Sequence, residues 1–257
     1  MKKLFFSTMC LLATVASAQS LLIGDADQDG ELTISDVVIL VNMILNGERQ
    51  YIDLHEYVDL GLPSGTLWAT CNIGANSPEE YGDYFAWGET NGNDNNKTEF
   101  DWNTYKYCEG TLETLTKYNN YSGNGYNGFT DNLTELELTD DAAYANWGSN
   151  WCIPSKDQFT ELINSDYTTS EWTTMKNVYG RKITSKINGN SIFLPAAGYR
   201  NGMSIYQEGT NGCYWSHSLY TNYSNYAHYL FVYSENMYSY IYNRCDGQSI
   251  RAVRMSK

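Results

Sequence analysis

Three aspartates at alternating positions carry the most specific chemical signal in the sequence. Asp25, Asp27 and Asp29 stand in the segment GDADQDGELTISD and are followed by Gly30. Carboxylates at the first, third and fifth positions of a twelve-residue loop, with glycine sixth for the sharp turn, form a calcium loop of the EF-hand type. We therefore expect one Ca²⁺ in residues 25–36. The candidate ligands are Asp25, Asp27, Asp29, Glu31 through its backbone carbonyl, Thr33 and Asp36.

A short amphipathic helix is predicted to follow the loop, over residues 35–46. Its apolar positions recur at helical spacing, and Gly47 is the expected stop. These positions are Val37, Leu40, Val41, Ile44 and Leu45. Because so short a helix is marginal alone, we expect this face to pack against the main domain or a partner.

Loop and helix together, over residues 23–47, resemble a dockerin type I repeat. In that repeat the last loop position is Asp, as Asp36 is here. Dockerins carry two such repeats and this sequence has one, so the resemblance implies calcium binding and leaves open whether docking occurs within the chain or to a partner.

The N-terminal segment and the net charge of the sequence indicate where the protein acts and which partners it can bind. Lys2, Lys3, an apolar run and Ala16-Ser17-Ala18 predict a secretory signal over residues 1–18, with Cys10 as an alternative lipid acceptor. We expect no transmembrane segment and a secreted, periplasmic or cell-surface location. With 30 acidic against 16 basic residues, nucleic acid is an unfavourable partner.

Five cysteines remain after cleavage of the predicted signal. Because this number is odd, at least one thiol stays outside any disulfide within the chain.

Beyond a linker at residues 48–54 the pattern changes to short strands and loops. EYVDLGLPSGTLWATC predicts two strands joined at Pro63-Ser64-Gly65, and Asn188-Gly189 predicts a tight hairpin turn. Helices are predicted at DDAAYANW and at PSKDQFTELIN, where Ser155 and Gln158 have capping-box spacing ahead of a buried stripe. That stripe consists of Phe159, Leu162 and Ile163. Residues 91–134 are expected to be loops, and the last fifty residues strands, so the fold class is α+β with few helices.

Residues 55–257 are similar to the Fibrobacter succinogenes major paralogous domain. The matching segments are EYVDLGLPSGTLWATCNIGA, EEYGDYFAWGET, LTDDAAYANWGSNWCIPSKDQFTELI, GNSIFLPAAGYRNG and RCDGQSIRAV. The resemblance implies a C-type lectin-like fold, related to formylglycine-generating enzymes, in which a compact α+β base with short antiparallel strands and long loops displays a binding face. Cys152 and Cys213 depart from the family pattern.

Catalysis is not expected, although that fold neighbour raises it as the least favoured alternative. Cys213 and Cys245 are 32 residues apart and do not form the close reactive pair such enzymes need. The acidic pairs Glu79-Glu80 and Asp140-Asp141 are adjacent in sequence, so their side chains are expected to point apart, whereas glycosidases need two carboxylates that flank one bond.

Tyrosines concentrate near the C-terminal end of the sequence. Ten of the 23 lie between residues 206 and 242, and in MYSYIYN they alternate on one strand face. Tyrosine with Ser, Gly and Asn is typical of antibody combining sites. We expect recognition of a protein or glycan ligand by Tyr220, Asn222, Tyr223, Asn225, Tyr226, His228, Tyr238, Tyr240, Tyr242 and Asn243.

Two alternatives remain open for this region. The tyrosines can simply coat a sheet, as in a structural surface protein. The segment also resembles the variable region of proteins diversified by retroelements, where adenine-directed mutation yields Asn, Tyr, Ser and His. In either case the residues expected in the core or scaffold are Trp215, Leu230, Phe231, Val232, Gly247 and Arg251.

Overall fold

The computed structural model describes Thr33, Ile34, Val37 and Val38, together with residues 55–93 and 97–255. Within the described part, short strands and loops dominate over two α-helices, α1 (Ala142–Trp147) and α2 (Lys156–Leu162). The strands are β1 (Tyr57–Asp59), β2 (Thr66–Ala69), β3 (Thr168–Met175), β4 (Val178–Ser185), β5 (Ser191–Pro195), β6 (Tyr199–Asn201), β7 (Ser204–Tyr206), β8 (Asn211–Leu219), β9 (Tyr226–Tyr233), β10 (Met237–Asn243) and β11 (Val253–Met255). This composition agrees with the predicted α+β class.

The strands form small antiparallel sheets rather than one large sheet. Their orders are β1-β2-β11, β10-β9-β8, β3-β4-β5 and the two-stranded β6-β7. In the first of them Trp68 of β2 pairs with both Val58 of β1 and Val253 of β11. The first and last described strands of the main domain therefore belong to one sheet, on either side of β2.

Both predicted helices form, and their first turns show why. Asp141 caps α1 by accepting hydrogen bonds from the backbone N–H groups of Ala143 and Tyr144. Ser155 and Gln158 form the predicted capping box on α2. This box satisfies backbone donors that the first turn leaves unpaired. Among the described residues no helix has the length and apolar content needed to cross a bilayer.

The hairpins agree only partly with the turn predictions. The turn between β1 and β2 forms as expected. Gly189, with φ 79°, lies in a five-residue connection between β4 and β5, so the predicted two-residue turn is wrong. Ser185 Oγ accepts hydrogen bonds from the N–H groups of Ile187 and Asn188, which stabilises the longer loop. The tight turn lies instead between β3 and β4, at Lys176 and Asn177, both with positive φ.

The β8–β9–β10 sheet separates two hydrophobic clusters. Trp215 and Tyr229 belong to one cluster, and Leu230 and Val232 to the other, because side chains alternate along a strand. The core predictions for Trp215, Leu230 and Val232 are confirmed, and Gly247 and Arg251 are also buried.

Phe231 departs from its core prediction because it is only partly buried. It packs against the first cluster at the edge of a surface cleft. The stripe of α2 is buried at Phe159 and Leu162, whereas Ile163 caps the helix end and is partly exposed.

Two tryptophans connect β8 to the segment around residue 86. Trp87 Nε1 donates to the carbonyl of Ser216 at 2.8 Å, and Trp215 Nε1 donates to the carbonyl of Phe85, also at 2.8 Å. The backbone N–H of Phe85 also donates to the carbonyl of Gln248, and the backbone N–H of Gln248 donates to the carbonyl of Phe85. Ser249 in turn bonds the backbone of Cys213 and Trp215, so the segment at Gln248 runs beside the edge strand β8.

Candidate ligand-binding face

Strand β10 displays its tyrosines on one face, as predicted. Tyr238 lies opposite Phe231 of β9, and Tyr240 lies opposite Tyr229. Tyr238 and Tyr240 are 39% and 57% exposed, while Tyr242 is partly buried. We call the surface formed by Tyr229, Phe231, Tyr238, Tyr240 and Tyr242 the tyrosine face.

The rings of the tyrosine face contact one another in a continuous array. Phe231 and Tyr238 have centroids 5.4 Å apart, Tyr238 and Tyr240 are 6.0 Å apart, and Tyr229 and Tyr242 are 5.8 Å apart. Most of these pairs are edge-to-face, the arrangement that aromatic quadrupoles favour. Each ring is thereby held in place before a ligand arrives, which lowers the entropy cost of binding.

A cleft of about 180 Å³ opens beside these rings. We call it the aromatic cleft. Its lining residues are Tyr199, Gln207, Cys213, Tyr229, Phe231, Tyr242 and Gln248. Tyr199 stacks on Tyr206 at 5.6 Å and meets the edge of Tyr242 at 5.2 Å, so the β6–β7 hairpin forms one wall. Sequence reasoning did not select Tyr199, Gln207, Phe231 or Gln248 as ligand-binding.

Gln248 is the unusual member of the aromatic cleft. Its side chain is fully buried, yet neither its Oε1 nor its Nε2 forms a hydrogen bond among the described residues. An unpaired buried amide costs roughly 1–3 kcal/mol, and native proteins rarely retain one without a reason. A donor and an acceptor without a partner among the described residues therefore belong to a residue that lines the cleft.

The phenols of Tyr229 and Tyr242 are neutral at physiological pH. Burial, with smaller effects from neighbouring groups, raises the pKa of Tyr229 and of Tyr242 well above the ordinary value for tyrosine. Burial likewise raises the pKa of the Cys213 thiol, so it stays protonated. The cleft offers hydroxyl and amide groups rather than charges.

The predicted ligand residues do not all lie on the tyrosine face. Register places Tyr226 and His228 of β9, and Asn243 of β10, on the opposite side of the sheet. Tyr220 packs edge-on against His228 at 5.5 Å, and the turn between β8 and β9 exposes Asn222 and Tyr223. Burial, followed by the charge of Lys156, lowers the pKa of His228. These predicted ligand residues therefore lie apart from the tyrosine face.

Asn225 requires a correction, because it is only 7% exposed and does not belong to a displayed surface. Its carbonyl accepts a hydrogen bond from the backbone N–H of Arg244 at 3.0 Å. Arg244 is itself fully buried and also donates to the carbonyl of Ser224. This arrangement anchors the turn from inside, so Asn225 supports the turn.

The acidic pairs have structural contacts. Although burial opposes its ionisation, hydrogen bonds led by that from Lys117 lower the pKa of Asp140 to about 2, and Lys117 Nζ lies 2.6 Å from its Oδ2. Asp141 caps α1. Glu79 pairs with Lys176 at 2.6 Å, and Glu80 accepts from the backbone N–H of Asn76.

The structure describes all five cysteines of the main domain but only part of the predicted metal site. The five cysteines of the main domain, Cys71, Cys108, Cys152, Cys213 and Cys245, are free thiols. Burial raises the pKa of Cys245 and raises that of Cys152 to about 12. Within the described residues no cluster of three His, Cys, Asp or Glu side chains is placed to hold a metal.

The calcium module lies mostly outside the described residues. Thr33 is described and exposed, and Ile34, Val37 and Val38 are helical. Val37 is 58% exposed. Not described are Asp25, Asp27, Asp29, Glu31, Asp36, Leu40, Val41, Ile44 and Leu45, along with residues 1–18 and 48–54. Calcium binding and the packing of the helix therefore stay predictions.

Comparison of the chain with protein-family models, with curated proteins and with solved structures finds no match.

Proposed function

We propose that this is an exported, non-catalytic recognition protein whose tyrosine face binds a protein or glycan ligand. The observation that carries the proposal is the exposure of Tyr238 and Tyr240 beside a cleft at which Gln248 has an unpaired buried amide. Concave sites that combine aromatic surface with a few convergent polar groups are typical of ligand binding.

The proposed fold is C-type lectin-like, of the Fibrobacter succinogenes major paralogous type. Small antiparallel sheets, two helices in the described residues and long loops between Thr70 and Leu138 support it. So does the pairing of β11 with β2, which brings the ends of the domain together and leaves the β8–β9–β10 sheet to display the tyrosine face.

An enzyme is the less favoured class. Asp140 is ion-paired, Asp141 caps a helix, and burial keeps the thiols of Cys213 and Cys245 protonated. A reactive cysteine needs the thiolate form, which these surroundings disfavour.

The proposal predicts that the double variant Tyr238→Ala/Tyr240→Ala loses ligand binding while the domain stays folded. Both rings are exposed, so their removal should change the free energy of unfolding by less than about 1 kcal/mol. Well-placed aromatic anchors contribute about 2 kcal/mol or more each, which corresponds to a loss of binding of at least 100-fold. The measurement is binding to an array of glycans and of cell-surface and extracellular proteins.

The matched control is Tyr121→Ala/Tyr179→Ala, which removes two tyrosines that are 62% and 52% exposed elsewhere. Binding should survive in this control. Equal loss in both variants, or unchanged binding in the first, would contradict a site on the tyrosine face, and turnover of any ligand on the array would favour the enzyme class.

Calcium is expected to bind residues 25–36 and to stabilise the N-terminal module. At a free calcium concentration 100 times the dissociation constant, one site adds about 2.7 kcal/mol to the stability of the folded module. Titration calorimetry of the chain from residue 19 onward measures the heat and the dissociation constant of calcium binding, from which this gain follows. Asp27→Asn is the variant and Asp166→Asn is the control. No heat at millimolar calcium in the unmodified chain would show that the prediction is wrong.

A further inference from the structure

The side chain of Gln248 is buried although nothing within the described protein requires its polarity there. Its backbone N–H and carbonyl both bond the backbone of Phe85, which fixes its position in the chain, and Gln248 is one of the residues that line the aromatic cleft. A leucine or methionine of similar size would fill the same space without an unpaired donor and acceptor. The carboxamide is therefore explained best by a bound group that pairs with it.

The walls of the aromatic cleft restrict the chemistry of that group. Tyr199, Tyr229, Phe231 and Tyr242 provide ring surface, and the other lining side chains are Gln207, Cys213 and Gln248. None of the lining residues is Asp, Glu, Lys or Arg, and the chain carries a formal charge of -14. A charged ligand would find no counter-ion in the lining, and an anionic one would also be repelled by the chain.

Ring geometry argues against a flat heterocycle. Tyr199 and Tyr242 meet at 67°, and Tyr229 and Tyr242 at 66°, so these walls do not form the parallel sandwich that holds a planar base. Inclined aromatic walls suit a puckered ring whose C–H groups pack on several ring faces. A volume of about 180 Å³ is below the roughly 300–1,000 Å³ of sites for larger ligands, which limits the cleft to one small ring.

We infer that the aromatic cleft binds one neutral sugar ring, with the Gln248 carboxamide pairing to two adjacent hydroxyls. Vicinal hydroxyls each donate and accept, so they match the Oε1 acceptor and the Nε2 donors of one amide. The phenol hydroxyls of Tyr199 and Tyr242 supply further hydrogen-bonding partners. The inference rests on the proposed recognition function and specifies its ligand as a glycan, held without calcium because no carboxylate lines the cleft.

Saturation-transfer NMR on the chain from residue 19 onward, in EDTA, tests this with free sugars. The probes are glucose, galactose, mannose, fucose and N-acetylglucosamine, with adenosine and N-acetylasparagine amide as alternative occupants. We expect at least one sugar to receive saturation through its ring protons. Signal from none of the sugars, or from adenosine or the amide alone, would overturn the inference.

Gln248→Leu is the decisive variant. The amide has no hydrogen-bond partner within the described protein, so we expect the urea midpoint of the Gln248→Leu variant to equal or exceed that of the unmodified protein. Its affinity for the sugar should fall at least tenfold. Tyr242→Phe, which removes one hydroxyl, should weaken binding less and stay folded. Thr70→Val is the control, a polar-to-apolar change in a different cleft, of about 90 Å³, and should leave sugar binding unchanged.

The outcomes separate the cleft from the wider proposal. Array binding that is lost in Tyr238→Ala/Tyr240→Ala but kept in Gln248→Leu would overturn the sugar site and leave the tyrosine face standing. Array binding unaffected by either variant would overturn both. A lower urea midpoint for Gln248→Leu would show that the amide has a structural partner, which also counts against the inference.

Discussion

Replacing Arg244 by methionine is expected to lower the free energy of unfolding by about 3–5 kcal/mol, the largest single-residue effect we anticipate, because each buried hydrogen-bond acceptor left unpaired costs about 1–3 kcal/mol. Its guanidinium is fully buried and donates to the carbonyls of Lys117, Tyr118 and Ser224 and to the hydroxyl of Tyr105. Methionine would leave the buried carbonyls of Tyr118 and Ser224, and the partly buried carbonyl of Lys117, without this donor.

Aromatic rings supply the environment that a carboxylate usually provides. Trp87, Tyr105 and Tyr118 surround the guanidinium of Arg244 at 5.0, 5.2 and 5.7 Å, and no ion pair among the described residues includes it. Cation–π attraction strengthens when the ion is desolvated. Lysine cannot reproduce four directed bonds from a planar fork, so Arg244→Lys should also be destabilised, though less than Arg244→Met.

Urea denaturation of Arg244→Met and Arg244→Lys measures this effect, with Lys156→Met as the control at an exposed position. The control should stay within about 0.5 kcal/mol. A change of under 1 kcal/mol in Arg244→Met would show that the guanidinium contributes little net stability. Since Ser224 belongs to the turn that carries Tyr223, we also expect faster amide exchange there in Arg244→Met.

Replacing Asp246 by asparagine is expected to stabilise the protein at pH 8 by up to about 3 kcal/mol. Asp246 is 1% exposed. Burial raises the pKa of its carboxyl to about 6, and hydrogen bonds from Asn201 and Asn243 offset this only in part. Asparagine keeps an oxygen that accepts from Asn201 and carries no charge to bury.

The pH dependence has a definite sign. Well below the ordinary pKa of 3.8 the carboxyl is protonated in both the folded and the unfolded chain, so Asp246 costs nothing there. As the pH rises toward 6 the unfolded chain ionises first, and the free energy of unfolding of the unmodified protein falls. Above pH 6 the full penalty remains. The advantage of Asp246→Asn should therefore grow between pH 4 and pH 6 and then stay constant.

Urea denaturation at pH 4, 5, 6, 7 and 8 checks the second prediction. Asp166→Asn, at an exposed site, is the control and should show no comparable pH-dependent gain. A difference between Asp246→Asn and the unmodified protein that is constant across this range would mean that the carboxyl does not titrate with a raised pKa.

The sequence by itself determined the features that depend on neighbours within a few residues. Ser155 and Gln158 predicted the start of α2 because a capping box involves only one helical turn. Alternation in MYSYIYN predicted that Tyr238, Tyr240 and Tyr242 share a face, because strand side chains alternate whatever the strand pairs with. The turn at Lys176-Asn177 was missed because it lacks the glycine that usually marks a tight hairpin.

Only the tertiary structure decided which of those residues meet at a site. Gln248, Tyr199 and Tyr229 come from separate segments, and their meeting depends on the pairing of residue 248 with Phe85 and of β9 with β8. In the sequence Asn225 resembles its exposed neighbours Asn222 and Tyr223, yet it is buried, and its carbonyl accepts a hydrogen bond from the backbone N–H of Arg244. Burial and pairing over long separations are properties of the packed chain, so local spacing predicted the displayed strand but not the cleft beside it.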